Sequence, residues 1–135
     1  MNNSFAQFEI KLTCTLSLIH TYNDGTKEHE REEAIFDISQ IQDDLFILSR
    51  SDKLSSVITS KLGAPSMGVT NLSDKNRWEI INMERSIKSN KINTTRISID
   101  RNTGKIAYLN NFEEGRLVTQ GRGDCSKVDT VKKKF

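Results

Sequence analysis

Few residues in this 135-residue chain have the type and spacing to do chemistry, and its two cysteines lead them. Cys14 lies in FEIKLTCTLSLI and Cys125 in LVTQGRGDCSKV, one near each end. That spacing excludes a CxxC redox motif and a zinc knuckle. Two readings stand: a pair of buried thiols acting as small hydrophobes, or one disulfide. One cysteine sits in the first long alternating segment and the other in the last, which favours the bond. A bridge of that span would constrain the unfolded chain by about 4–5 kcal/mol. The other candidates are weaker. HEREE at His29–Glu33 looks like a zincin fragment but lacks the second histidine four residues on. Glu28, Glu30, Glu32 and Glu33 read as a solvated strand face that offers carboxylates to a basic partner. The loop residues Ser66 and Met67 join Glu28, Glu30 and Glu32 as candidate partner-binding positions. No serine lies in a nucleophile elbow, and neither cysteine has a basic neighbour with a matching histidine. The expectation is therefore no catalytic residue, no metal site and no cofactor. DRNTG lacks the glutamate that closes an EF-hand and reads as a hairpin. Arg122-Gly123-Asp124 reads as part of the strand carrying Cys125, its glycine allowing close backbone approach.

The elements that must position these residues are strands. Phe8, Ile10, Leu12, Cys14, Leu16 and Leu18 alternate with polar residues, the mark of a half-buried strand. It enters Asn23-Asp24-Gly25 and a second strand that ends AIFDIS. A two-residue Asp-Gly loop would set Leu12 against Asp37. A three-residue loop closing on Gly25 as a G1 bulge instead aligns Ile10 with Ile38, Leu12 with Phe36 and Cys14 with Ala34. The second register keeps the apolar face together and is the one expected. It puts His20 beside Glu28 on one face and His29 beside Ile19 on the other, so the two histidines share no metal. RISIDRNTGKIAYLN repeats the device around Asn102-Thr103-Gly104, predicting Ile99 opposite Ala107 and Ile97 opposite Leu109. NRWEIINMER is a further strand anchored by Trp78, and RLVTQGRGDCSKV closes the chain after a loop at Asn110–Gly115. One segment dissents: Leu54, Val57, Ile58 and Leu62 recur at helical spacing between Asp52 and Gly63, predicting a short helix near 52–62.

These elements make an all-β single domain over 1–135. It is an antiparallel meander of seven or so strands, closed as a small barrel or sandwich, with that one helix. Residues 1–6 are expected outside the ordered fold, and 129–135 form a basic tail. The 20 basic and 18 acidic residues are scattered, with a net charge of +2, so no concentrated stripe points to nucleic acid. No apolar run approaches the roughly 18 residues of a membrane span. Met1 to Gln7 has no signal-peptide form, so a bonded pair of cysteines implies a leader removed ahead of this numbering.

Leu12-Thr13-Cys14, Ile99 to Gly104 and Gly123 to Val128 together resemble a loose group of small exported bacterial proteins. In that group an I-N/D-R-x-T-G hairpin precedes a terminal G-x-C, and most members have no assigned function. The resemblance implies a periplasmic or secreted domain with Cys14 bonded to Cys125, and it carries no catalytic residues. The chain is also similar, more loosely, to the periplasmic inhibitors of C-type lysozyme, small antiparallel barrels with a terminal-strand disulfide. Their inhibitory loop contains Ser-Gly; the nearest segment here, Ala64-Pro65-Ser66-Met67-Gly68, departs from it. The functional expectation is a non-enzymatic exported binding protein for a protein or envelope component, of inhibitor or immunity type. The alternative is a lipocalin-like carrier of a small apolar ligand, which needs a roomy interior. Leu12, Leu16, Phe36, Trp78 and Ile99 look more like a filled core.

Overall fold

Long alternating segments joined by tight polar turns fold into hairpins, and the chain folds almost entirely as such hairpins. A computed structural model describes residues 8–41, 44–51, 54, 57–58 and 68–128. Nine strands form one antiparallel sheet: β1 (Phe8–Tyr22), β2 (Lys27–Ile41), β3 (Asp44–Ser49), β4 (Val57–Ile58), β5 (Gly68–Asn71), β6 (Arg77–Arg85), β7 (Ile92–Asp100), β8 (Lys105–Phe112) and β9 (Leu117–Lys127). Their order is β4-β3-β2-β1-β9-β8-β7-β6-β5. The chain thus runs out to one edge, crosses to the other, and returns to lay β9 against β1. Because β4 also comes close to β6 and β7, the sheet curls into a half-barrel with its seam between β4 and β5. This is the expected meander, rolled as one sheet and not split into a two-sheet sandwich.

The first hairpin has the predicted register, with Ile10 opposite Ile38, Leu12 opposite Phe36 and Cys14 opposite Ala34. Gly25 has φ of 89° and donates to Tyr22 O at 2.9 Å, the three-residue bulge turn. In the second hairpin the predicted pairing is one residue off. Ile99 faces Ile106 and Ile97 faces Tyr108, while Ala107 is exposed. The cause is Asp100, whose carboxylate accepts backbone N–H bonds from Asn102 and Thr103 at 2.8 and 2.9 Å. This Asx turn starts the loop at Arg101, and Gly104 N donates to Asp100 O at 2.8 Å to close four residues instead of three.

The predicted helix near 52–62 is corrected where the structure describes it. Val57–Ile58 is a strand paired with Phe46 and Ile47, as suits two β-branched residues. Among the described residues there is no helix, and so none long and apolar enough to cross a membrane. Leu54 is buried in a bend, and the remaining positions of that segment, with 1–6 and 129–135, lie outside the described residues. The concave face is packed solid: Leu16, Phe36, Ile38, Ile47, Ile80 and Ile97 are fully buried. Leu12, Leu18, Trp78 and Ile99 join them.

Candidate functional site

Strand parity decides which polar side chains point inward. Even-numbered residues of β1 and β2 face the concave side, so Glu28, Glu30 and Glu32 share a face with Ala34, Phe36 and Ile38. They are the polar extension of the core face, with Glu28 exposed and Glu30 and Glu32 half-buried. His20 sits among them. Its Nε2 lies 2.7 Å from Glu30 Oε2 and its Nδ1 2.9 Å from Thr119 Oγ1. Glu28 accepts a 2.7 Å bond from the Tyr22 hydroxyl, and Glu32 one of 2.5 Å from Ser51. The Glu28 carboxylate pushes the Tyr22 phenol above its ordinary 10.0, first through that hydrogen bond.

Followed across the strands, this end of the concave face is a polar belt. Glu28 pairs with His20, His20 with Thr119, Thr119 with Asn110, Asn110 with Thr95, and Thr95 with Asn82. The belt is largely self-satisfied, since Asn110 Nδ2 donates to Asn93 Oδ1 at 2.8 Å and to Thr95 Oγ1 at 2.9 Å. Asn82 Oδ1 is the buried acceptor left over. The belt holds one imidazole, two amides and the Thr119 hydroxyl, which meets the imidazole nitrogen opposite the one on Glu30. It can orient and hydrogen-bond, and it presents carboxylates at the rim. Ser66 and Met67, the other two predicted partner-binding residues, lie outside the described residues.

Cys14 and Cys125 stand directly opposite each other on β1 and β9 and are bonded, with Cα atoms 4.0 Å apart. The disulfide therefore clasps the first strand to the last. Arg122-Gly123-Asp124 runs in β9 with β1 on one side and β8 on the other, as the strand reading has it. Asp124 pairs with Lys105 at 3.0 Å. His29 faces out beside Ile19, away from His20. Among the described residues no three His, Cys, Asp or Glu side chains converge as a metal would require.

The sequence reading missed the outer face. Cross-strand register lines up Arg31, Ser17, Arg122, Ala107, Ser98 and Glu79 in one row. Small side chains in its middle leave a groove of about 720 Å³, with Arg31, Arg77, Lys105 and Arg122 along its walls. Glu79 at its end is 1% exposed and accepts from Arg96 Nε at 2.8 Å and Arg77 Nε at 3.2 Å. Only the register, not residue spacing within any strand, brings these cations together.

Compared with known proteins, the chain matches no family model, no curated protein and no solved structure.

Proposed function

We infer that this chain is a non-enzymatic exported binding protein that recognises a protein partner through the acidic end of its concave face. The observation that carries the reading is the in-register set Glu28, Glu30 and Glu32. These carboxylates are held on the rim of a rigid core by Tyr22, His20 and Ser51. Carboxylates fixed in this way meet a basic surface without first losing side-chain entropy. The clasp of β1 to β9 supports the exported address, because such bonds persist in oxidising compartments. An inhibitor or immunity role fits a scaffold with a solid interior and functional groups at its rim. The carrier alternative is weakened by the same interior: Leu16, Phe36, Ile80 and Ile97 fill the space a ligand would occupy.

The test uses immobilised oxidised protein and a triple variant, Glu28→Gln, Glu30→Gln and Glu32→Gln, challenged with the envelope fraction of its source. A protein retained by the native chain, lost on the variant and rebound after purification supports the reading. Equal retention by both forms, or none by the native chain, overturns it.

A further inference from the structure

The groove on the outer face has two chemically distinct halves that share one floor. Ser17, Ala107, Ser98 and Arg122 line both. One half continues to Thr15, Arg31, Arg77 and Lys105, with hydroxyls below and cations along the sides. The other continues to Ile19, Gln120, Leu109 and Arg96, with Gln120 between Ile19 and Leu109 and Leu109 opposite Arg96. Three of the acidic groups nearby are engaged, and Glu33, opposite Thr15, is exposed beside them. Glu79 is held by Arg96 and Arg77, Asp124 by Lys105, and Asp100 by the backbone of its own turn.

Arg31 and Arg122 are different. Both are exposed, they flank Ser17 from opposite neighbouring strands, and neither makes an ion pair among the described residues. Two strand spacings separate these arginines, roughly 10 Å between their backbones. Side chains two residues apart on an extended chain share a face and stand about 7 Å apart, a span the two long arginine side chains reach from backbones about 10 Å apart. Guanidinium groups suit carboxylates because their planar forks accept bidentate pairing. Ala107 and Leu109, neighbours on the outer face of β8, add a demand that a bare polyanion does not meet.

We propose that this outer groove binds an extended acidic peptide segment of a protein partner, with carboxylates on Arg31 and Arg122 and an apolar side chain on Leu109 beside Ala107. The site is separate from the acidic rim of the concave face, and it stands or falls independently of that reading.

The test is fluorescence anisotropy with the oxidised full chain and three labelled peptides. One repeats Glu-Ser-Glu-Ser-Leu-Ser, which puts glutamates and leucine on one face, one is all glutamate, and one repeats Lys-Ser-Lys-Ser-Leu-Ser. The glutamate–leucine peptide is expected to bind best and to weaken as salt rises. The double variant Arg31→Gln, Arg122→Gln is expected to lose about tenfold or more in affinity for it. Leu109→Ser should lower affinity for the glutamate–leucine peptide and leave the all-glutamate peptide unaffected. Lys88→Gln with Lys91→Gln, an equal loss of charge at the exposed β6–β7 turn, should change nothing. Each variant is checked for an intact disulfide by mass and for native Trp78 emission.

The proposal is overturned if the arginine double variant binds like the native chain, or if the Lys88/Lys91 control loses as much. It is overturned equally if a heparin oligosaccharide or single-stranded DNA competes the peptide away at lower concentration than the unlabelled peptide itself. No binding of the glutamate–leucine peptide at millimolar concentration would also end it. Loss of partner binding in the Glu28/Glu30/Glu32 variant, with peptide affinity retained, would separate the two surfaces.

Discussion

Asp100 shows how much one carboxylate can set. Its hydrogen bonds from the Thr103 and Asn102 backbone lower its pKa below the ordinary 3.8. Asp24 in the first hairpin is lowered too, chiefly by the Thr26 hydroxyl and then by the Thr26 backbone N–H. A carboxyl with a folded pKa below its unfolded one stabilises fully above the unfolded value. That contribution disappears as pH falls through the folded value. Urea midpoints measured stepwise from about pH 5 to pH 2 should therefore fall, and Asp100→Asn with Asp24→Asn should flatten the slope. An unchanged slope in that double variant would show that other carboxylates dominate. Glu79 is the second residue with a large expected effect. Arg96→Ala leaves this buried carboxylate with Arg77 alone, for an expected loss of about 2 kcal/mol. Arg122→Ala on the same face should stay within about 0.5 kcal/mol. Chemical denaturation followed by Trp78 emission compares the two, and equal losses would refute the assignment. Glu79 was not legible in the sequence. RWEIINMER alternates correctly for Trp78 and Ile80 inside, but nothing in it says that Arg77 and Arg96 converge on the Glu79 carboxylate. The Leu72 N–H and the Ser73 hydroxyl bond the Glu79 backbone from alongside, just past the end of β5.

At the scale of elements, period-two alternation gave away β1, β2 and β6 to β9, and for all but β8 the face each presents, while β3, β4 and β5 were not read as strands. The first hairpin register was readable from Asn23-Asp24-Gly25, since only one loop length keeps Leu12 against Phe36. The second was misread because the glycine was counted as the third loop residue. Asp100 had already begun the turn one position earlier, and both counts leave plausible apolar pairs. Leu54, Val57 and Ile58 were misread for another reason. A two-residue edge strand carries no period, and helical spacing in so short a run arises by chance. The sheet's curl depends on Gly123, where an added Cβ would sit 1.8 Å from the backbone oxygen of Thr15. At Gly25 the same atom would meet nothing within 4 Å, and only the positive φ resists it. Gly123→Ala should thus cost more than about 3 kcal/mol or prevent folding. Gly25→Ala should cost only about 1–2 kcal/mol. Thermal melts of the two variants test that ranking, and a milder effect at Gly123 would mean β1 and β9 can part without penalty.

For the whole molecule, the decisive contact is the one between the two meanders. β1 to β4 and β5 to β9 are each built from neighbours in sequence, and they hydrogen-bond to each other through β1 and β9. That pairing joins residues at opposite ends of the chain, so its closure entropy is the largest any strand pair here must overcome. The Cys14–Cys125 bond removes this cost from the unfolded state. On the chain-entropy account it contributes about 4–5 kcal/mol. Reducing the protein, or replacing both cysteines by alanine, should lower the unfolding free energy by that amount and the denaturant midpoint with it. The slope of the transition should rise, because the unfolded chain without the bond is less compact and exposes more surface. Because the bond acts on the unfolded chain, its loss should show mainly in slower refolding, with β1 and β9 having to find each other by diffusion. Stopped-flow refolding with and without reductant reads this directly. If reduction instead accelerates unfolding and leaves refolding untouched, the clasp stabilises the finished sheet and not its assembly. The β1–β9 junction would then form late.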